Sequence, residues 1–219
     1  MKTPDLQVPT LNEEMALFQQ GYCFVAGVDE AGRGCLAGPV VAAAVILPLP
    51  LDEEGLARLA GVRDSKQLSP QARDSLYDTI MQHALAVGVG TGSVELIDAQ
   101  NILQATKHAM REAIARLSQP PQALLLDAVR LPAVPLPQRS IIKGDALCLS
   151  IAADSIIANV TRDRMMLALH QQYPLYGFSQ HKGYGTEQHL AALKQHGPCP
   201  IHHRSFSPVR EQLGLFPES

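Results

Sequence analysis

Two adjacent carboxylates, Asp29 and Glu30, stand between an apolar segment and a run with glycine at positions 32, 34 and 38. The β-branched, apolar ends of residues 25–47 predict two buried strands, which the glycine-rich turn joins as a hairpin. Burying a pair of acids costs free energy unless a cation or hydrogen bonds compensate, and hard divalent cations favour carboxylate oxygens. The glycines leave backbone N–H groups accessible to a ligand. These residues predict a metal and ligand site, with a solvated turn as the alternative for this stretch taken alone.

Two further acids accompany predicted strands. Asp127 lies within the apolar segment 123–129, and Asp145 ends the segment 140–145. If these strands neighbour the hairpin in one sheet, the four carboxylates converge at one edge. Without a cluster of Cys or His ligands, such a set favours Mg²⁺ or Mn²⁺ over zinc. Two such ions about 3.5–4 Å apart suit in-line hydrolysis of a phosphodiester, because one activates water and the other stabilises the leaving oxygen.

Composition limits the classes of protein that the chain can represent. Its 219 residues are 46% hydrophobic and 18% charged, which suffices for the core of one large domain and excludes a disordered chain. The net charge of −3 indicates that a nucleic-acid partner needs a local basic patch or metal ions that offset the acids. Four cysteines without Cys-x-x-Cys spacing, a polar N-terminus and no apolar run of about 18 residues predict a cytoplasmic protein without a membrane span. The C-terminal histidines show no zinc spacing.

Strands and helices are interspersed along the chain, which predicts an α/β fold with a mixed sheet. Helical spacing of apolar residues, with Ser-Pro at one start, predicts helices at 11–20, 69–85, 102–117, 149–170 and 186–196, and a short one from Ser93. A third strand is predicted at 86–92, where glycines recur and a neighbouring element is expected to approach the backbone closely. Residues 51–68 give no clear pattern.

Six short motifs give the chain a close resemblance to the type 2 ribonucleases H (the ribonuclease HII family) over nearly all of residues 24–215. They are, in order, Val-Ala-Gly-Val-Asp29-Glu30-Ala-Gly-Arg-Gly, Asp64-Ser65-Lys66-Gln-Leu-Ser69, Leu-Leu-Leu-Asp127, Ile-Lys143-Gly-Asp145, Ser155-Ile-Ile-Ala-x-Val-Thr-Arg162-Asp163 and His181-Lys182-Gly-Tyr184. The resemblance implies a ribonuclease-H-like mixed sheet of five strands flanked by helices. It also implies a division, within one domain, into an N-terminal tail with a short helix (1–20), a catalytic core (21–172) and a substrate-contacting helical extension (173–219).

The resemblance further implies an activity. A member of this family hydrolyses the RNA strand of RNA–DNA hybrids and incises 5′ of single ribonucleotides in duplex DNA, leaving a 3′-hydroxyl and a 5′-phosphate, as ribonucleotide excision repair requires. The cofactor is expected to be Mn²⁺ or Mg²⁺, the catalytic ligands are Asp29, Glu30, Asp127 and Asp145, and the chain is expected to be a monomer. The alternatives are another metal-dependent nuclease of this fold, a non-catalytic or weakened hybrid-binding variant, and an acidic metal- or nucleotide-binding module.

Substrate contacts are implied in the same way. Gly32, Arg33 and Gly34 match a loop that contacts the 2′-hydroxyl side of the ribonucleotide, which agrees with the close backbone approach that glycine permits. Tyr184 matches a tyrosine that packs on the following sugar and senses the RNA-to-DNA junction, with a core aromatic as the alternative. The candidates for phosphate contacts are Lys66, Lys143, Arg162, Lys182 and Arg204, and Ser65 either donates to a phosphate or caps a loop.

Three positions depart from the family pattern. Ala128 stands where the family commonly has glycine, Asp154 where it has alanine, and Asn159 where it has lysine. Asp154 either faces solvent or adds a carboxylate to the metal region, where like charges raise carboxyl pKa values. The hypothesis is that Asp154 and Asn159 weaken substrate binding without abolishing the metal site, so that Asp154→Ala combined with Asn159→Lys lowers KM at fixed Mg²⁺.

Overall fold

One mixed five-stranded sheet lies at the centre of the computed structural model, which describes residues 8–214. The strands are β1 (Val25–Ala31), β2 (Val40–Ile46), β3 (Ala86–Gly92), β4 (Ala123–Asp127) and β5 (Gln138–Ile141), in the spatial order β3-β2-β1-β4-β5. The first three strands pair antiparallel, and β4 and β5 add to β1 in parallel. This arrangement confirms the predicted fold class, the hairpin and the third strand.

Ten helices flank the sheet within the described residues. They are α1 (Asn12–Phe18), α2 (Glu53–Arg58), α3 (Pro70–His83), α4 (Val94–Gln100), α5 (Ile102–Ala115), α6 (Gly144–Leu147), α7 (Leu149–Gln172), α8 (Phe178–His181), α9 (Glu187–His196) and α10 (Ser207–Gln212). Side-chain caps explain several starts, since Ser69, Ser93 and Thr186 each accept a hydrogen bond from a backbone N–H three residues on. The stretch that gave no sequence pattern contains α2 and a 3₁₀ turn over Ser65–Gln67.

The side chains of β1 and β2 alternate between two cores, one on each face of the sheet. On one face, Val28 and Ala44 pack with Ala109 and Met110 of α5. On the other face, Ala43 and Val45 pack with residues of α7 and α3. The molecule therefore has three layers, and every second residue of β1, Asp29 among them, faces α7.

Helix α5 packs unusually close to β3. A Cβ atom placed on Gly88 or Gly90 would lie 2.1 Å from the carbonyl oxygen of Ala113 or Ala109, respectively. Because no side chain fits in that space, the glycines of β3 let the helix backbone lie directly on the strand. The close approach predicted from the sequence of residues 86–92 is confirmed.

The segment before Asp145 differs from its prediction. β5 ends at Ile141, and Asp145 lies in the first turn of the short helix α6 rather than at the end of a strand. Lys143 takes a left-handed conformation (φ 57°) that turns the chain from the strand into this helix. The acid still lies beside the carboxyl end of β4, because the backbone N–H of Gly144 bonds to Asp127.

The C-terminal residues pack onto the glycine-rich turn of the hairpin. Isolated β-bridges join Cys35 to Tyr184 and Ala37 to His202, and α8 packs on α7. The proposed boundaries at 20/21 and 172/173 remain a prediction, and residues 1–7 and 215–219 of the two terminal segments lie outside the described part. Over residues 8–214, no helix is long and apolar enough to cross a membrane.

Candidate active site

A cleft of about 180 Å³ lies where the carboxyl ends of β1 and β4 meet. Three acids line it, namely Asp29, Glu30 and Asp127. The remaining lining residues are Ala31, Gly32, Arg33, Gly34, Lys66, Ser155, Asn159 and Tyr184. Residues that are far apart in the sequence thus meet in one place. They do so because β1 and β4 are parallel neighbours and the C-terminal segment packs on the glycine-rich turn.

Asp29 faces α7 at the base of the cleft and is only 5% exposed. The Ser155 hydroxyl lies close enough to its carboxylate to lower the pKa, and it lies 3.0 Å from the hydroxyl of Ser65. Asn159 Nδ2 in turn donates to Ser65 Oγ over 2.9 Å, so a row of polar groups runs from Asn159 through the two serines towards Asp29. Burial raises the pKa of Asp29 well above its ordinary range, and the charges of Glu30 and Asp127 raise it further.

Glu30 pairs with Arg33 across the start of the glycine-rich turn, with 3.0 Å between Oε1 and Nη1. Its other oxygen, Oε2, is buried and has no hydrogen-bond partner among the residues that the structure describes. Burial raises the pKa of Glu30 despite the opposing effect of Arg33. A cation at this oxygen would compensate a group that the protein itself leaves without a partner.

Asp127 and Asp145 form the other half of the acidic site. Asp127 Oδ1 accepts a hydrogen bond from the Gly144 N–H at 2.8 Å, and burial raises the pKa of its carboxyl group. Asp145 Oδ2 lies 3.1 Å from Lys66 Nζ. Burial opposes the charge of Lys66, but the hydrogen bond and charge of Asp145 outweigh it and raise the pKa of the ammonium. Lys66 therefore lies among the acids, where its charge offsets theirs.

These carboxylates fit a hard divalent cation on two grounds. The acids provide only oxygen donors, which suits Mg²⁺ or Mn²⁺, and Glu30 Oε2 is a buried oxygen that lacks a donor within residues 8–214. Asp29, Glu30, Asp127 and Asp145 are the residues that could hold such an ion. In the described chain as it stands, no three His, Cys, Asp or Glu side chains are grouped closely enough to hold a metal ion, and Arg33 and Lys66 hold oxygens of Glu30 and Asp145.

Asp154 lies in α7 directly behind this site and faces inward. It is fully buried, and both of its carboxylate oxygens lack a hydrogen-bond partner in the part of the chain that is described. A Cβ on Gly27 of β1 would lie 2.6 Å from Asp154 Oδ2, which shows how closely helix and strand enclose the carboxyl group. Burial raises its pKa well above the ordinary range, and Asp29 adds the next largest effect. The sequence alternative in which Asp154 faces solvent is therefore wrong, and its carboxyl group lies within reach of the charges of the four acids.

Arg162 does not contact solvent, so the predicted phosphate contact is wrong for this residue. Its guanidinium is buried and donates to the carbonyl oxygens of Ala37, Pro39 and Lys182 at 2.8–3.0 Å. It therefore holds the glycine-rich turn against the C-terminal segment. A Cβ on Gly32, whose φ is 100°, would lie 2.2 Å from Arg162 Nε, so this position requires glycine.

Gly34 and Tyr184 are open to the cleft. No atom lies within 4 Å of a Cβ built on Gly34. Tyr184 is 46% exposed, and the centroid of its ring lies 5.9 Å from the Arg162 guanidinium carbon. The alternative in which Tyr184 is a core aromatic is therefore wrong, because the ring lines the cleft opposite the acids.

The remaining candidates lie in several environments. Ser65 is completely buried and bonded to Ser155 and Asn159, so the predicted phosphate donation is wrong. Lys143 and Arg204 are exposed and do not line the cleft. Lys182 is half-buried at the rim of a neighbouring groove, and its ammonium donates to the Ser179 carbonyl.

The support of Asp29 by Ser155 and Asn159 was not predicted. A sequence signal exists, because Ser155, Asn159 and Arg162 follow one another at i, i+4 and i+7 and so form a polar stripe on one face of an otherwise apolar helix. The left-handed Ala128 (φ 49°) directly after Asp127 shows why glycine is favoured there.

Comparisons with known proteins agree with this architecture. A family model described as Ribonuclease HII matches residues 26–209. A ribonuclease HII from Citrifermentans bemidjiense is 53% identical over 216 residues, which cover 99% of this chain and 91% of that protein. The crystal structure of ribonuclease H2 from Pyrococcus horikoshii superposes with a TM-score of 0.70 at 29% identity, covering 86% of this chain and 96% of the other. A structure of Bst-RNase HIII in complex with Mn²⁺ shares the fold, with a TM-score of 0.69 at 19% identity and coverage of 98% and 75%.

Proposed function

Because the chain belongs to the ribonuclease HII family and is therefore an endoribonuclease that acts on RNA–DNA hybrids, we propose that it also incises 5′ of single ribonucleotides in duplex DNA. The observation that carries the proposal is that Gly34 and the exposed ring of Tyr184 line the same cleft as the acids. A backbone without Cβ can approach a 2′-hydroxyl, and a ring beside it can pack on the next sugar. One cleft would then join the cutting site to the recognition of an RNA-to-DNA junction.

The acids would hold two divalent ions in this function. Bound ions would supply an activated water and stabilise the leaving oxygen in line with it. Asp29, Glu30, Asp127 and Asp145 would be the ligands, with Ser155 fixing the orientation of Asp29. Lys66 and Arg33, which neutralise Asp145 and Glu30 here, would be free to meet the phosphate once ions take over that role. The Mn²⁺ complex of the fold relative supports Mn²⁺ or Mg²⁺ as the ion.

The proposed setting is the cytoplasm, with a monomer acting on RNA–DNA hybrids or ribonucleotide-containing duplexes during ribonucleotide excision repair. The cysteines support a reducing compartment, because all four are free and three of them are buried. The proposal of a monomer is supported by the cleft lining, in which one chain supplies acids, the glycine-rich turn and Tyr184 together.

A labelled DNA duplex with one ribonucleotide tests the proposal, with an all-DNA duplex and a uniform RNA–DNA hybrid beside it. We expect cleavage on the 5′ side of the ribonucleotide with Mn²⁺ or Mg²⁺, none with chelator, and none of the all-DNA duplex. Cleavage of the hybrid alone would overturn the single-ribonucleotide proposal while leaving the family activity intact. Loss of activity towards both substrates would favour the weakened hybrid-binding variant instead.

Substitution of the acids tests their assignment. Asp29→Asn or Asp145→Asn should lower cleavage by about 100-fold or more, because a direct ligand matters at least as much as the groups that orient it. The fold should persist, which circular dichroism and the melting temperature would show. Asp74→Asn is the matched control, since Asp74 is an exposed acid paired with Arg164 on the surface. Substantial turnover by either site variant would contradict the ligand assignment.

A further inference from the structure

A row of buried histidines leads from the C-terminal segment to the backbone of Tyr184. His189 and His202 are completely buried. The Cys199 N–H lies 3.0 Å from His202 Nδ1, His202 Nε2 lies 3.0 Å from His189 Nε2, and His189 Nδ1 lies 2.9 Å from the Tyr184 carbonyl oxygen. These three contacts form a continuous chain, which we call the histidine relay.

The direction of every bond in the histidine relay follows from its two ends. A backbone N–H can only donate, so His202 Nδ1 accepts from Cys199 and the proton of the neutral ring is on Nε2. His202 Nε2 then donates to His189 Nε2, which places the His189 proton on Nδ1. That proton is donated to the Tyr184 carbonyl, which can only accept. Both rings thus use both nitrogens, as neutral imidazoles of opposite tautomer, and the thiol of Cys199 also lies 3.1 Å from His202 Nδ1.

Backbone contacts join both ends of the histidine relay to the glycine-rich turn. The β-bridge between Ala37 and His202 fixes one end of it, and the bridge between Cys35 and Tyr184 fixes the other. Cys35 and Ala37 belong to the turn that carries Gly34. Tyr184 is therefore held from one side by the glycine-rich turn and from the other by His189, and both supports are anchored to the same three residues of chain.

Aromatic packing keeps the relay in place. The rings of His181 and His189 stack with 4.4 Å between centroids, and Phe178 meets His189 edge-on at 5.4 Å. Among the described residues, the Tyr184 carbonyl accepts, apart from His189, only from the N–H of Thr186, two residues away in the same turn. Within this part of the chain, His189 is thus the side-chain donor to the peptide group of Tyr184.

We infer that His189 and His202 are positioning residues for junction recognition: the histidine relay fixes the peptide of Tyr184 and so aims its ring across the cleft at Gly34. This inference rests on the proposed function, in which Tyr184 packs on the sugar that follows the ribonucleotide. It predicts that disturbing the relay impairs cleavage at single ribonucleotides more than cleavage within a continuous hybrid, where no such junction has to be read.

Two substitutions at one position separate orientation from packing. His189→Asn keeps an amide N–H near the place of Nδ1 and can still donate to the Tyr184 carbonyl, whereas His189→Leu fills much of the space and cannot donate. The control is His203→Gln, because His203 is an equally buried histidine of the same segment that bonds to the Gly38 carbonyl and not to Tyr184. For each full-length variant, kcat and KM are measured on the single-ribonucleotide duplex and on the uniform hybrid, together with the melting temperature.

We expect His189→Leu to lower the ratio of kcat/KM on the single ribonucleotide to that on the hybrid by about fivefold or more, the typical effect of one lost hydrogen bond. His189→Asn should retain most of the ratio, and His203→Gln should keep it even if its melting temperature falls. An unchanged ratio in His189→Leu overturns the inference, as does a loss shared equally by both substrates. If the wild type fails to cut the single ribonucleotide, the proposed function falls and the inference falls with it.

A measurement on the unaltered protein covers the case in which His189→Leu does not fold. Nitrogen-15 NMR of the imidazoles at neutral pH should show the proton of His202 on Nε2 and that of His189 on Nδ1. The opposite tautomer at either ring would mean that the bonds run differently, and would overturn the relay independently of any activity.

Discussion

Asp154 illustrates how one side chain can oppose the stability of the fold that contains it. Its carboxyl group is enclosed between Gly27 and the backbone of α7, with no donor for either oxygen among the described residues. A charge there would be desolvated and would be repelled by the acids of the cleft, so the pKa of this carboxyl group lies well above its ordinary range. The main effect of having aspartate at position 154 is therefore a loss of stability. An effect on substrate binding would have to act through its neighbour Asp29.

Replacing this residue should stabilise the protein in a pH-dependent way. The unfolded chain releases the Asp154 proton above its ordinary pKa of 3.8 whereas the folded chain retains it, so this residue lowers stability as pH rises. Asp154→Ala should raise the free energy of unfolding at pH 8 by about 1–3 kcal/mol, the cost of an unsatisfied buried polar group. The gain should shrink towards pH 4.

Urea unfolding at pH 4, 6 and 8 measures the effect, with Asp74→Ala as the exposed control. A destabilised Asp154→Ala at pH 8 would show that the carboxyl group has a partner that offsets its burial. The double substitution with Asn159→Lys remains the test of substrate binding, but Asn159 supports Asp29 through Ser65, so a lysine there also removes that support.

The sequence identified the residues near the site more accurately than the direction in which each side chain points. Three of the four acids, Gly34 and Tyr184 line the cleft, whereas Arg162 and Ser65 of the same motifs are buried. A sequence shows that an arginine is present but not whether carbonyl oxygens surround it, because those carbonyls come from residues more than a hundred positions away and from the C-terminal segment.

At the scale of elements, the contact between β3 and α5 depends on the absence of side chains. Gly88, Gly90 and Gly92 present a bare strip of backbone, and carbonyl oxygens of α5 lie against it. Backbone cannot shift as the end of a side chain can, so an added methyl group would separate helix and sheet.

Gly90→Ala should therefore destabilise the protein by about 3 kcal/mol, the upper part of the usual range for overpacking. Gly61→Ala is a matched control, because its new Cβ would meet only the end of the Leu76 side chain, at 3.1 Å. Chemical denaturation measures the free energy of unfolding of both variants. Equal values for Gly90→Ala and Gly61→Ala would mean that α5 moves away from β3 at little cost.

The sequence predicted long elements well and short ones poorly. The helix at 149–170 and the strand at 86–92 have enough residues for a period to emerge, and both are confirmed. The four residues of α6 have no measurable period, so Asp145 was placed on a strand instead. Its position beside Asp127 depends on the bond from Gly144, which is a tertiary contact.

The whole molecule combines two regions whose stabilities depend on pH in opposite directions. In the acidic site, burial raises the pKa values of Asp29 and Asp154, so acidification relieves unfavourable charge. In the C-terminal segment, burial lowers the pKa values of His181, His189 and His203, and that of His202 to about 4. Acidification should therefore loosen the extension before it affects the sheet.

His202→Gln tests this asymmetry. The unfolded chain binds a proton at His202 below about pH 6.5, and the folded chain does so only below about pH 4. The stabilising contribution of His202 to the folded state is therefore complete above pH 6.5 and is lost as the pH falls to 4. The variant should be less stable than the wild type by about 1–3 kcal/mol at pH 7.5, and the difference should narrow at pH 4.5. Thermal unfolding at both pH values measures it, and a difference that widens in acid would contradict the argument.

At this scale the sequence indicated the family and a mixed sheet flanked by helices, but not how the hairpin turn and the C-terminal segment meet. The bridges from Cys35 to Tyr184 and from Ala37 to His202 join segments that share no local pattern. Such pairing depends on the packing of α7, whose Arg162 binds both segments at once.

The two sides of each bridge are synthesised at different times on the ribosome. Asp29, Glu30, Asp127 and Asp145 leave the exit tunnel well before Tyr184, His189 and His202, because translation proceeds from the N-terminus. A nascent chain thus carries the complete acid set while the turn around Gly34 still lacks its bridge to Tyr184. Under the proposed function, a polypeptide released prematurely after residue 172 would hold the four proposed metal ligands and Gly34 but not the ring of Tyr184, so recognition of the junction would be completed only late in translation.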